Sequence, residues 1–132
     1  MMKNHHKSSK KKKEGDSFSD NKKLSVYHVE GHVWVEIDGM TFLGWGRIVL
    51  LERIEQYGSI SAAARSMNMS YRHAWLLVDK MNRLAPTPLV EKIVGGKKGG
   101  GAKLTKDGHI AILHFWRLAN EFQRFLANVR YL

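Results

Sequence analysis

Apolar and polar residues recur along this chain with two different periods. Between residues 33 and 37 the period is two: Val33, Val35 and Ile37 face one way and Trp34 and Glu36 the other, the signature of a half-buried strand. Asp38-Gly39 then supplies the pair of residues favoured in a two-residue hairpin turn, so residues 40–43 are the expected returning strand. Gly44-Trp45-Gly46 breaks that pattern. From Arg47 the period lengthens to that of a helix, with Ile48, Leu51 and Ile54 inward over residues 47–57 and Gly58 as a left-handed stop. The hairpin is expected to pack on the helical core.

Residues 58–84 read GSISAAARSMNMSYRHAWLLVDKMNRL. Ser59 is a good helix N-cap, because its hydroxyl can accept from an orphan amide of the first turn. Ile60, Ala63, Ala64 and Met67 follow at helical spacing, and the alanines are small enough for a second helix to cross closely. After Asn68-Met69 the pattern restarts at Ser70, a second cap, and runs through Ala74, Leu77, Val78, Met81 and Leu84. Two short helices around a tight turn predict a helix-turn-helix, whose second helix enters the DNA major groove with its N-terminal residues nearest the bases. Those residues are Ser70, Tyr71, Arg72, His73 and Trp75, with no acid among them.

Pro86 and Pro88 end the second helix and set up an extended segment at residues 89–94. The run GGKKGGG (95–101) and a short extended Ala102-Lys103-Leu104 follow. Two strands about a doubly basic glycine tip predict a wing, in which glycines let the loop lie against a sugar-phosphate backbone and Lys97 and Lys98 add attraction to phosphate. A P-loop does not fit, since no Ser or Thr follows the second lysine and no helix opens there. Thr105 caps a last helix over about residues 106–131. Its stripe of Ile112, Phe115, Trp116, Ala119, Phe122, Leu126 and Val129, widened by Leu118 and Phe125, is more apolar surface than a small core covers. Dimerisation through this helix is expected, against packing under the N-terminal hairpin, and part of the stripe can serve both.

Composition sharpens this picture mainly through where the charge lies. The 132 residues carry a net charge of +10. Residues 61–106 hold nine basic side chains against two acidic ones, residues 1–23 eight against three, and the remainder is slightly acidic. A basic surface confined to the reading unit and a tail is the footprint of a nucleic-acid binder. Residues 1–23 have almost no apolar content and are expected to be disordered. Lys10 to Lys13 either brush phosphates or merely solubilise. With 43% hydrophobic residues the rest, residues 24–132, is one folded domain.

There is no cysteine, which removes disulfides, thiolate chemistry and the usual zinc-finger sites. No apolar run suits a membrane span and no secretory signal is evident, so a cytoplasmic location is expected. No metal or cofactor site is expected: His5-His6 is too short a tract, His28 and His32 sit in an extended segment, and His109 and His114 lie off a common helical face. Without paired carboxylates or a nucleophile setting, an enzyme is not expected.

The DNA-contacting set expected from this reading is as follows. Arg72 is the candidate for bidentate guanine readout, beside Ser70, Tyr71 and Trp75. Trp75 is as much a core candidate as a groove contact. Ser59 and Ser61, near a helix N-terminus, would position phosphate, and Lys97, Lys98 and Lys103 would hold the wing on the backbone. Competing readings are an architectural, sequence-indifferent nucleic-acid binder and a winged helix turned to protein contacts.

The segments at residues 46–58, 58–75, 79–82 and 89–108, above all SYRHAW with GGKKGGGAKLT, resemble the N-terminal winged helix-turn-helix domain of ModE-type molybdate-responsive transcriptional regulators, whose helix-turn-helix is related to that of LysR-type regulators. The resemblance covers roughly residue 33 onward. It implies an α+β, mainly helical winged helix-turn-helix fold with an N-terminal β-hairpin and a long C-terminal dimerisation helix. It implies, too, a homodimer on a palindromic operator in double-stranded DNA and regulation of genes for molybdenum or related metal uptake. Family members that sense molybdate themselves carry C-terminal oxyanion-binding domains. This chain is expected to lack them, and so to depend on a separate ligand-sensing protein or to act without an effector.

Overall fold

Asp38 and Gly39 take positive φ of 52° and 78°, the pair a type I′ turn requires, and they fold β1 (Val35–Ile37) back on β2 (Met40–Leu43). The computed structural model describes residues 27–95 and 100–130. The basic tail, Lys97, Lys98 and Tyr131 therefore lie outside the described residues. Ile37 pairs with Met40 and Glu36 with Thr41, but Val35 pairs with Leu43. The register slips there by one residue, as in a β-bulge, and Leu43 ends buried against the helices.

The next helix, α1 (Trp45–Tyr57), starts two residues before the expected Arg47. Gly44 is its N-cap, and the Gly44 carbonyl accepts from the Ile48 amide at 2.9 Å. Gly46 thus falls in the first turn, where amides need no intrahelical partner. Ile48, Leu50, Leu51 and Ile54 are buried, so α1 is the central helix of the core. Gly58 ends it at φ 80°, donating its amide to Ile54 O, as a left-handed C-cap should.

Helix α2 (Ile60–Ser66) buries Ile60, Ala63 and Ala64. Asn68 turns the chain at φ 55°, and α3 (Tyr71–Leu84) buries Ala74, Val78 and Met81. It stops where Ala85, preceding Pro86, goes extended, as the residue before proline is biased to do. Strands β3 (Val90–Ile93) and β4 (Gly101–Leu104) form a second two-stranded antiparallel sheet, with Val90 opposite Leu104 and Glu91 opposite Lys103.

Thr105 caps α4 (Lys106–Asn128) by accepting from the Gly108 amide. The helix stops short of the expected residue 131. Val129 is already extended, and the Asn128 side chain turns back to donate to the Arg124 carbonyl at 2.9 Å, satisfying one of the orphan carbonyls of the last turn. Phe115 and Ala119 join the core. Trp116 packs edge-on against Trp45 at 4.8 Å between ring centroids and donates its indole N–H to Glu52 at 2.8 Å, tying α4 to α1. No helix among the described residues is long and apolar enough to cross a membrane.

Candidate nucleic-acid interface

The first turn of α3 is preorganised by its cap: Ser70 Oγ accepts from the His73 amide at 3.1 Å. Tyr71, Arg72 and His73 are all exposed there. With Ala74, Val78 and Met81 buried on one side, the 100° turn per residue puts Arg72, Leu76, Asp79 and Arg83 on the outward side. Arg72 makes no ion pair among the described residues, and nor do Lys80 or Lys92. Arg83, by contrast, is held at 2.9 Å by Asp79, so the outward face keeps one carboxylate whose charge is already countered. Trp75 is only partly buried and packs against the core. Its indole thus lies on a flank of α3, between the core and the exposed first turn.

Ser59 and Ser61 sit at the start of α2, both engaged locally. Ser59 Oγ accepts from the Ala62 amide at 3.0 Å, and Ser61 Oγ accepts from Arg65 Nη1 at 3.1 Å. Each hydroxyl keeps its own proton to offer, so both are compatible with a phosphate contact. The far end of α2 is fixed by Arg53 on α1, whose Nη1 donates to both the carbonyl and the hydroxyl of Ser66. Lys103, expected on phosphate, faces Glu91 across the wing at 3.6 Å. An exposed pair of this kind is weak, and the lysine can leave it for a stronger anion.

What positions the wing was invisible in the sequence pattern. Asn82, in the last turns of α3, accepts from the amides of Leu89 and Val90 at 2.8 and 3.2 Å and donates to the Val90 carbonyl at 3.0 Å. One amide side chain thus splices the recognition helix to the root of β3. On the other strand the Ala102 amide donates to Gly58 O at 2.9 Å, leaning β4 on the α1–α2 corner. Thr105 completes the root, its amide donating to Leu89 O and its hydroxyl to Pro88 O.

The glycines of the wing have a second use beyond the expected one. A Cβ on Gly101 would stand 2.6 Å from Gly58 O, and one on Gly100 2.6 Å from Ile93 O. Both are needed for close backbone approach at the base of the wing. Gly95, at φ 88°, opens the turn.

Three residues of this face escaped the sequence reading. Arg65, on α2, is exposed and unpaired by any acid among the described residues. Leu76 could have been found from helical phase alone, since it falls opposite the buried stripe. Asn82 fell in a segment that carries the resemblance, but its tie to the wing had no signal, because its partners lie beyond two prolines. Among the described residues no group of three or more His, Asp or Glu side chains could hold a metal.

The comparisons agree with this geometry. Residues 45–109 match the family described as bacterial regulatory helix-turn-helix proteins, lysR family, a span that runs from the start of α1 to the first turn of α4. The molybdenum transport protein ModE of Azotobacter vinelandii is 44% identical over 92 residues, which is 70% of this chain and 34% of that protein. The transcriptional regulator ModE of Haemophilus influenzae is 41% identical over 71 residues, 54% of this chain and 28% of its own length. The molybdenum-pterin-binding protein MopA of Rhodobacter capsulatus is 40% identical over 88 residues, 67% and 33% respectively. The chain spans about a third of the length of the curated relatives it matches. From Trp45 to the beginning of its last helix, then, this chain is a winged helix-turn-helix of the lysR-type bacterial regulatory family, in the form it shares with ModE-type regulators.

Proposed function

We propose that the chain is a DNA-binding transcriptional regulator that reads a palindromic operator as a homodimer and controls molybdenum-related genes. The observation that carries this reading is the capped, outward first turn of α3, where Arg72 stands exposed and unpaired in a basic segment matched to a regulatory helix-turn-helix. Arg72 is the direct reader, Tyr71 and Ser70 its neighbours on the groove edge. Arg65, Ser59 and Ser61 serve the backbone, and Lys97, Lys98 and Lys103 the wing contact.

The dimer reading rests on α4. The N-terminal segment covers part of its stripe, since Gly31 lies against the Phe122 ring and the Leu126 side chain. Leu118, 40% exposed, lines an apolar groove with Val35, Phe42, Pro86, Leu89 and Phe115, and Phe125, two turns further along α4, is 63% exposed. A two-fold pairing there would place two recognition helices on half-sites ~34 Å apart. The molybdenum relation is carried by the names of the relatives. The dimer predicts that a site selected from random DNA is two-fold symmetric, and selection with and without molybdate tests whether this chain or a separate ligand-sensing protein answers to the oxyanion.

Gel shifts at two salt concentrations test the division of labour. Arg72→Ala should lose operator discrimination by about 1–3 kcal/mol. Lys97→Ala should weaken operator and random DNA alike and flatten the salt slope by about one unit. Identical behaviour of the two variants would replace the specific regulator with a sequence-indifferent binder.

A further inference from the structure

Leu76 is a large apolar side chain standing where the core cannot use it. It is 45% exposed, while Val78 and Met81 on the same helix are buried and Leu77 packs against the core. It follows Arg72 by four residues, which is about 40° around the helix and about 6 Å along its axis. Arg83, two turns on, and its ion-pair partner Asp79 flank it on the far side. The outward ridge of α3 therefore reads arginine, leucine, arginine, with the one carboxylate neutralised.

In the major groove the hydrogen-bonding atoms of the bases suit arginine, and the single apolar feature is the C5 methyl group of thymine. We infer that Leu76 is a specificity-determining residue that packs on a thymine methyl. The 6 Å rise from Arg72 equals about two base-pair steps of 3.4 Å, so the thymine lies about two pairs from the guanine that Arg72 reads. This inference rests on the DNA-reading role proposed above and adds to it a second readable position in each half-site. Nothing competes for the leucine from within the fold: it is not among the residues of the core or those packed on it.

Replacing thymine by deoxyuridine tests it, because that change deletes the methyl and leaves base pairing intact. An operator selected from random DNA with the wild-type protein is remade with each thymine changed in turn. Wild type should lose about fourfold in affinity per half-site at one position, the worth of one buried methyl group, and none at the others. Leu76→Ala should bind the unmodified operator more weakly by a similar factor and no longer distinguish thymine from uracil at that position. Its melting temperature should match the wild type, as the side chain leaves no cavity. If Leu76→Ala keeps the wild-type pattern of uracil sensitivity, or if no thymine in the half-site is sensitive, the inference falls. Arg72→Ala, tested on the same DNA, separates the two levels: loss of operator discrimination there upholds the DNA reading even when the leucine assignment fails.

Discussion

Truncating Asn82 to alanine removes the side chain that splices the recognition helix to the wing root through both of its amide atoms. Three hydrogen bonds go with it, at 2.8, 3.0 and 3.2 Å. Leu89 and Val90, whose amides it satisfies, are 3% and 4% exposed, so water does not easily take over. A typical bond contributes about 1 kcal/mol net, and a buried donor left without a partner costs ~1–3 kcal/mol. The longest of the three is the weakest, and part of the site is open. Together these give a loss of roughly 2–4 kcal/mol. For a folded unit near 100 residues that is a fall in melting temperature of roughly 10–20 °C, readable by far-ultraviolet circular dichroism. Asn82→Asp keeps two acceptor oxygens for the amides but sets one against the Val90 carbonyl, so it should melt between alanine and wild type. An Asn82→Ala protein that melts within about 2 °C of wild type would refute the claim that this residue holds the wing to the helix.

Two further outcomes are expected. In Gly108→Ala the new methyl would stand 2.2 Å from the Leu89 carbonyl oxygen, a backbone atom that cannot swing away. The overpacking penalty of ~1–3 kcal/mol or more should exceed the ~1 kcal/mol that alanine gains in a helix, and the variant should unfold at lower temperature or urea concentration. Phe125→Glu, on an exposed side chain, should leave the melting of the monomer unchanged but shift sedimentation equilibrium toward the monomer. A wild type that sediments as a monomer at every concentration would remove the dimer from the proposal.

The parts of this fold that could be read from sequence are those whose signal is local. The Asp38-Gly39 turn, the Gly58 stop, and the caps Ser59, Ser70 and Thr105 each act within four residues, and each is found doing what its chemistry predicts. Helical phase placed Ala74, Val78 and Met81 inside, and the same arithmetic, carried through, places Leu76 outside. Helix ends were less legible. The first turn of α1 spans a glycine that reads as a breaker, and the end of α4 depends on an asparagine folding back on its own helix. Least legible was the attachment of the wing, which rests on contacts between residues that no period connects: Asn82 with Leu89 and Val90, Ala102 with Gly58, Gly108 beneath Leu89.

The same distinction explains the candidate site. Exposure of Arg72 follows from phase, and that of Tyr71 from its place in the first turn, but whether a charge is free depends on its tertiary neighbours. Lys103 looks in sequence like Lys92, yet the register of β3 on β4 sets Glu91 directly opposite Lys103 and leaves Lys92 facing Ala102. Glycine shows the point most sharply. From sequence the wing glycines are expected to contact a sugar-phosphate backbone, whereas a Cβ on Gly100 or Gly101 would stand 2.6 Å from a backbone oxygen of the protein itself, so neither has room for a side chain. The base of the wing is thus closely packed on the α1–α2 corner and tied to α3, and it is through this attachment that a wing contact would bear on the angle of α3 and not merely add charge near it.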